Sequence, residues 1–70
     1  MKQETRVRYY RFVNGEMTQA ELALKAGVSR QTIVAIEKGD YSPSVWLAIR
    51  LSRVLGAKVE ELFLLKEDLS

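Results

Sequence analysis

The sequence predicts an all-α fold, a compact bundle of about five short helices. Apolar residues recur at helical spacing in each segment, and no segment shows the strict alternation of a half-buried strand. Four glycines and one proline separate these segments. With 70 residues, the chain is long enough for one domain, which we expect to cover residues 1–70.

The composition narrows the classes of function. The chain contains no cysteine and no histidine, which removes disulfides, thiolate chemistry, histidine bases and the usual nitrogen and sulfur ligands of zinc. No apolar run has the length of a membrane span, and no signal peptide is apparent. We therefore expect a cytoplasmic protein that is not an enzyme, with no cofactor, no metal, no small-molecule ligand and no membrane partner.

Charge is distributed unevenly along the chain, whose net charge is +2. Residues 1–59 carry most of the basic side chains, whereas residues 60–70 form an acidic tail. A basic body suits a polyanion such as nucleic acid, although a solvated surface of mixed charge explains the pattern equally well. Charge alone therefore leaves the partner open.

The first predicted helix covers about residues 4–13. Its inward side carries Val7 and Tyr10, with Tyr9 and Val13 at the margin. The helix is predicted to end by left-handed capping at Asn14-Gly15. Three arginines, Arg6, Arg8 and Arg11, lie elsewhere around it.

Two short helices joined by a tight turn come next. Thr18 and Glu21 form a capping box that begins the first of them. Gly27 supplies the positive φ that the turn needs, and Ser29 caps the second helix. Such a pair is a helix-turn-helix unit, whose second helix can lie in the DNA major groove. We assign the unit to about residues 18–38, with these inward side chains: Leu22, Ala23, Ala26, Val28, Ile33 and Ile36.

The two remaining helices follow Pro43 and Gly56. The fourth ends at Gly56, and the fifth covers about residues 59–65. The predicted core stripe of the fourth helix is Val45, Ala48, Leu51 and Leu55. Further apolar residues lie outside this stripe and need a partner, either a second copy of the chain or the tail folded back over them. The predicted dimer surface comprises Trp46, Ile49, Phe63, Leu64 and Leu65.

The second helix of the unit leaves polar side chains facing outward. Arginine can bond guanine, glutamine can bond adenine, and methyl groups can contact the thymine methyl. The predicted base-reading residues are Arg30, Gln31, Thr32 and Ala35. Phosphates are bound by helix N-termini and nearby polar side chains; the predicted set is Thr18, Gln19, Ser29, Lys38 and Tyr41. Each residue taken alone also fits an ordinary solvated surface, and only its place in the motif favours a DNA contact.

Three stretches of sequence carry a resemblance to a known family. They are Met17-Thr18-Gln19-Ala20-Glu21-Leu22-Ala23, Ala26-Gly27-Val28-Ser29-Arg30-Gln31-Thr32-Ile33 and Ile36-Glu37-Lys38-Gly39. They resemble the Cro/cI-type helix-turn-helix regulators, in particular short prokaryotic members. The resemblance implies a lambda-repressor-like five-helix domain that binds double-stranded DNA. It further implies a homodimeric transcriptional regulator, in the simplest case a repressor, on a palindromic operator. The residues at the family's contact positions are Gln19, Arg30, Gln31, Thr32 and Ala35.

The sequence departs from the family pattern at three positions. Glu16 is an extra residue before the Thr-Gln start, and Val34 is apolar where the family often has a polar residue. Lys58 stands where relatives often have a capping serine. An alternative function is a protein-interaction module, such as an antitoxin-like partner or a coactivator bridge, in which the same helices dock on protein.

Overall fold

The computed structural model describes residues 4–64, which form five helices and one short β-ladder. The elements in chain order are β1 (Glu4–Thr5), α1 (Val7–Val13), α2 (Gln19–Ala26), α3 (Arg30–Lys38), α4 (Val45–Leu55), α5 (Val59–Leu62) and β2 (Phe63–Leu64). The predicted five-helix fold is confirmed, with the ladder as an addition. Within the described range, every helix is too short or too polar to cross a bilayer.

Side-chain caps begin the two helices of the helix-turn-helix unit where the sequence predicts them. The Glu21 N–H donates to the Thr18 hydroxyl at 3.0 Å, and the Thr18 N–H donates to the Glu21 carboxylate at 2.9 Å. The Ser29 hydroxyl accepts from the Thr32 N–H at 3.2 Å. These bonds satisfy backbone donors that a first helical turn leaves unpaired, so the starts of α2 and α3 are set locally.

The turn between α2 and α3 depends on Gly27 and on an arginine from α4. Gly27 has a φ of 74° and its N–H bonds to the last turn of α2. The Arg50 guanidinium donates to the Ala26 carbonyl at 3.0 Å. Because a cation beside the last carbonyls of a helix is favourable, Arg50 stabilises the end of α2 from outside the unit.

The core lies where α2 packs on both α3 and α4. Its buried residues are Val7, Met17, Leu22, Ala23, Ala26, Ile33, Ile36, Leu47, Leu51, Leu55, Ala57 and Leu62. The prediction for α4 was wrong at Val45, which is 72% exposed. Leu47 takes the core position because it precedes Leu51 by one turn, whereas Val45 lies in the first turn on another side. Tyr9 and Val13 are also exposed, so α1 buries a narrower stripe than the spacing indicates.

The β-ladder shortens the first and last helices relative to the prediction. Glu4 pairs with Leu64 and Thr5 with Phe63 in antiparallel register. The Arg6 N–H donates to the Leu62 carbonyl at 2.8 Å. Helix α5 has four residues, and the carbonyl of its last residue, Leu62, has no acceptor role within the helix, so it takes its partner from Arg6 beside β1. The predicted helical ends at residues 4–5 and 63–64 were wrong, and residue 65 lies outside the described residues.

The loop after α1 contains the extra residue noted in the sequence. Gly15 has a φ of 85° and Glu16 a φ of 57°, so the left-handed conformation occurs at two successive residues. The left-handed capping predicted at Asn14-Gly15 occurs at Gly15, whereas Asn14 has a φ of −96°. Its side-chain amide instead donates to the Tyr10 carbonyl at 2.7 Å and the Leu55 carbonyl at 2.9 Å. This side chain ends α1 and joins it to the end of α4.

The start of α5 lacks half of its cap, as the sequence indicates. The Lys58 N–H donates to the Glu61 carboxylate at 2.7 Å. The Lys58 side chain makes no capping hydrogen bond, because an ammonium group has no lone pair to accept one.

Candidate nucleic-acid interface

Helix α3 has one buried side and one side that faces solvent. Ile33 and Ile36 are fully buried against the core, whereas Arg30 and Gln31 are exposed. Ala35 is half-buried one turn after Gln31. Residues at this spacing lie on one face of a helix, so Gln31 and Ala35 share an outward face, and Arg30 borders it.

A groove of about 600 Å³ runs between this helix and the first two helices. We call it the α1–α3 groove; of the described residues, those that line it are Arg8, Arg11, Thr18, Gln19, Ala20, Arg30, Val34, Glu37 and Lys38. The groove brings together four predicted site residues from two helices, Thr18, Gln19, Arg30 and Lys38. The lining does not include the other predicted DNA-binding residues, which are Ser29, Gln31, Thr32, Ala35 and Tyr41.

One ion pair lies at the wall of the groove. The Arg11 guanidinium binds both oxygens of the Glu37 carboxylate, and it also donates to the Met17 carbonyl at 2.8 Å. Both side chains of the pair are largely buried. The pair is neutral as a unit, so the remaining charges of the lining come from Arg8, Arg30 and Lys38. None of these three makes a hydrogen bond or ion pair within residues 4–64.

Gln19 is held in place by the same carboxylate. Its side-chain amide donates to Glu37 Oε1 at 3.1 Å, and the residue is half-buried. This bond uses one of the two amide hydrogens, and the amide oxygen takes no part in it. The side chain is therefore oriented before any ligand binds, with hydrogen-bonding capacity left for an external group.

The hydroxyl groups of Ser29 and Thr32 lie at the start of α3, 3.0 Å apart. Since the Ser29 hydroxyl also accepts the Thr32 N–H, both side chains have a local role as a helix cap. The Thr32 side chain is half-buried. Tyr41, which follows α3, is exposed. Direct contact between these three residues and DNA remains a prediction.

Glu21 keeps a negative charge beside the groove. The Thr18 backbone N–H lowers the pKa of Glu21 below its ordinary value of 4.5, and the Thr18 hydroxyl and Lys25 lower this pKa further. The charge stabilises the N-terminus of α2, where a helix favours an anion.

Three residues that line the groove lie outside the predicted site, namely Arg8, Arg11 and Glu37. A signal for Glu37 was present, because it is the one acidic residue in α3 and lies next to the buried Ile36. A lone carboxylate at the edge of an inward face is stabilised only if another element supplies a cation, so an ion pair is expected there. Its partner lies 26 positions away, and spacing along the chain could not identify it.

The predicted dimer surface is partly exposed. Trp46 is 74% exposed and Ile49 is half-buried on α4. Phe63 and Leu64 are half-buried on β2, with Phe63 packed against the core. Leu65 lies outside the described residues. Val45 precedes Trp46 and extends the apolar strip at the start of α4. Among residues 4–64, no cluster of carboxylates suited to a metal ion is present.

Comparison with known proteins gives consistent matches across most of the chain. A helix-turn-helix family model matches residues 7–62. An uncharacterized HTH-type transcriptional regulator of Methanocaldococcus jannaschii is 46% identical over 65 residues, which cover 93% of this chain and 97% of that protein. A second such regulator, from Archaeoglobus fulgidus, is 50% identical over 64 residues, covering 91% of this chain and 90% of the relative.

Solved structures match the fold as well. The restriction-modification controller protein C.AhdI from Aeromonas hydrophila has a TM-score of 0.73 at 29% identity, over 83% of this chain and 86% of that chain. A hypothetical transcription factor from Neisseria has a TM-score of 0.71 at 25% identity, over 90% of this chain and 71% of that one. The relatives are named as regulators of transcription, and the predicted absence of enzymatic activity agrees with this.

Proposed function

The chain belongs to the Cro/cI-type helix-turn-helix transcriptional regulators, and from this premise we propose that it is a cytoplasmic repressor that binds a palindromic operator as a homodimer. Members of this family bind DNA, which makes the outward side of α3 the first surface to consider. The observation that carries the proposal is the juxtaposition of this side with a groove lined by three cations that are unpaired within residues 4–64, namely Arg8, Arg30 and Lys38. The DNA bases and the DNA backbone would be contacted by adjoining surfaces of the protein.

Base reading is assigned to the outward face of α3. Gln31 and Ala35 share this face, with Arg30 at its edge toward the groove and Thr32 at the start of the helix. An exposed glutamine can bond adenine through two atoms, and an alanine methyl can contact the thymine methyl. The proposed base-reading set is Arg30, Gln31, Thr32 and Ala35.

Phosphate binding is assigned to the surfaces on either side of this face. Gln19 is already oriented by Glu37, and Thr18 and Ser29 lie at helix N-termini, where backbone N–H groups favour an anion. Lys38 lies at the other end of α3, followed by Tyr41. The proposed phosphate-binding set is Thr18, Gln19, Ser29, Lys38 and Tyr41.

Dimerisation is assigned to the apolar strip of α4 together with the last described strand and the residue after it. Trp46 exposes most of a large apolar side chain, which favours burial against a second copy. The proposed surface is Trp46, Ile49, Phe63, Leu64 and Leu65. A two-fold axis would separate two reading helices by about one turn of duplex, 34–36 Å, and would match a palindromic site.

The exposed Val45 and Trp46 also support a second candidate function. The same apolar strip can dock on a different protein, in which case the chain is an interaction module rather than a self-contained repressor. The two functions differ in whether the protein alone selects a DNA sequence.

Selection of DNA by the protein tests the proposal. Duplexes with a random central region are selected by the wild-type protein, and the best sequence is titrated beside a scrambled duplex at two salt concentrations. We expect a palindromic consensus, a preference of about 10³-fold or more over the scrambled duplex, and a salt dependence that corresponds to several phosphates. Sedimentation of the complex gives the number of chains per duplex, with two expected.

Two results would contradict the proposal. Weak and equal binding to both duplexes would exclude a self-contained operator-binding protein and favour the interaction module. A consensus without two-fold symmetry, bound by one chain, would exclude the homodimer while leaving DNA binding in place.

A further inference from the structure

We propose that Arg8 of α1 binds a DNA phosphate, and that the α1–α3 groove receives one strand of the DNA backbone. The inference rests on the proposed function and extends it to a helix outside the helix-turn-helix unit. It identifies the first helix as part of the DNA-binding surface, through a residue that lies outside the predicted DNA-binding set.

The Arg8 side chain shares its groove with residues of α2 and α3. Arg8 lies on α1 and lines the same groove as Gln19 at the start of α2 and Lys38 at the end of α3. Arg8 is exposed and makes no hydrogen bond or ion pair within residues 4–64. Its guanidinium is therefore available to a ligand in the groove.

Arg11 is the other arginine of α1 that lines the groove. The Arg11 guanidinium already has partners, since its N–H groups bind the Glu37 carboxylate and the Met17 carbonyl. Glu37 is in turn the one carboxylate among the described lining residues, and Arg11 and Gln19 occupy it. Arg8 thus faces a groove whose negative charge is already neutralised.

Three cations of the groove lining lie outside the Arg11–Glu37 ion pair. Arg8, Arg30 and Lys38 contribute three positive charges around one groove, and none of the three is in an ion pair within residues 4–64. A surface with one sign of charge attracts the opposite charge, and a polyanion satisfies several cations at once. Arginine also binds a phosphate through two parallel hydrogen bonds.

The groove and the outward face of α3 are adjoining but separate surfaces. The outward face of α3 that carries Gln31 and Ala35 does not line the groove, whereas Thr18 at the N-terminus of α2 does. The apolar side chains in the lining, Ala20 and Val34, suit the carbon surface of a deoxyribose. The groove therefore fits a sugar-phosphate strand beside the bases that α3 reads.

The chain supplies a matched control on the same segment. Arg6 is also exposed and precedes Arg8 by two residues, but it lines a different hollow with Tyr9 and Tyr10. Replacing either arginine by glutamine removes the same charge from the protein. A general effect of net charge would act equally on both variants, whereas a phosphate contact in the groove acts on Arg8 alone.

The experiment compares wild type, Arg8→Gln, Arg8→Lys and Arg6→Gln. Each protein is titrated by fluorescence anisotropy into the duplex selected by the wild type and into a scrambled duplex, across a series of NaCl concentrations. We expect Arg8→Gln to bind both duplexes about fivefold more weakly near 0.15 M salt and to lower the magnitude of the log–log salt slope by about 0.9, the value for one phosphate. Arg8→Lys retains the slope, and Arg6→Gln behaves as wild type.

Each contrary outcome has a distinct meaning. If Arg8→Gln keeps the wild-type slope while the wild type still prefers its selected duplex, the Arg8 assignment is overturned and the proposed function stands. A loss confined to the selected duplex would make Arg8 a base-reading residue and would also overturn the phosphate contact. If the wild type binds neither duplex, both proposals fail. Thermal melting of every variant verifies that it is folded.

Discussion

Arg11 on α1 and Glu37 on α3 form a two-point ion pair, with Arg11 Nε 2.6 Å from Glu37 Oε2 and Arg11 Nη2 2.9 Å from Glu37 Oε1. Only 11% of the Arg11 side chain and 8% of the Glu37 side chain is exposed. The same carboxylate holds Gln19, and the same guanidinium binds the Met17 carbonyl before α2. The pair thus fixes three helices around one groove.

Removing the cation of this pair is expected to destabilise the fold. Arg11→Met leaves the Glu37 carboxylate largely buried without its charged partner, which should lower the free energy of unfolding by about 3 kcal/mol. Urea denaturation measures the change. The control is Arg8→Met on the same helix. Because this side chain is exposed, its replacement should change the free energy of unfolding by less than about 0.5 kcal/mol. Equal stability of the two variants would show that the ion pair contributes nothing net.

Two glutamines distinguish base reading from phosphate binding. Gln31→Ala should cost about 1–3 kcal/mol on the selected duplex and relax the preference at one base position. Gln19→Ala should weaken selected and scrambled duplexes alike, because a phosphate contact carries no sequence information. Titration of both variants into both duplexes measures the difference. Equal losses on the two duplexes for Gln31→Ala would contradict its assignment.

The turn of the helix-turn-helix unit is expected to tolerate a side chain less well than the turn after α4. Gly27 and Gly56 both have a positive φ, so alanine costs about 1–2 kcal/mol at each. At Gly27 an added Cβ would also lie 3.1 Å from the Arg50 guanidinium, whereas at Gly56 it would meet no atom of the described residues within 4 Å. Because it disturbs the Arg50 hydrogen bond, Gly27→Ala should lower the free energy of unfolding by about 1 kcal/mol more than Gly56→Ala does. Chemical denaturation measures both variants. Equal losses of stability would exclude a contribution of the Arg50 hydrogen bond to the difference.

The capping box is expected to make stability depend on pH. Its hydrogen bonds from Thr18 lower the pKa of Glu21 in the folded protein. The stabilisation is therefore present above the ordinary value of 4.5 and is lost as the pH falls through the lower folded pKa. The melting temperature of Glu21→Gln should lie below that of wild type at neutral pH and converge with it in acid. Glu16→Gln, outside the box, is the control; a constant gap for Glu21→Gln across pH would refute the linkage.

The helix-turn-helix unit was predictable because its signals are local. Thr18 and Glu21 cap α2 within four residues of sequence, and Gly27 marks the turn through its own conformational freedom. The outward side of α3 followed from the spacing of Ile33 and Ile36. These features require no knowledge of the rest of the chain.

The features that escaped prediction depend on contacts between distant segments. Arg8 and Glu37 meet at one groove because α1 packs across α3, which no spacing along the chain indicates. The choice of Leu47 over Val45 depends on which side of α4 meets α2. The ladder at Thr5 and Phe63 forms between strands of two residues, too short to show any alternation.

That ladder has a consequence for the order in which the molecule assembles. The bond from the Arg6 N–H to the Leu62 carbonyl joins the two ends of the described chain, so forming it closes nearly the largest loop available. Contacts within α2 and α3 close much smaller loops and form sooner on average. We expect the ends to open and reclose while Ile36 stays buried, so the Arg6 amide should exchange its hydrogen with solvent earlier than the amide of Ile36. Helix α3 would then stay folded during openings that expose Phe63.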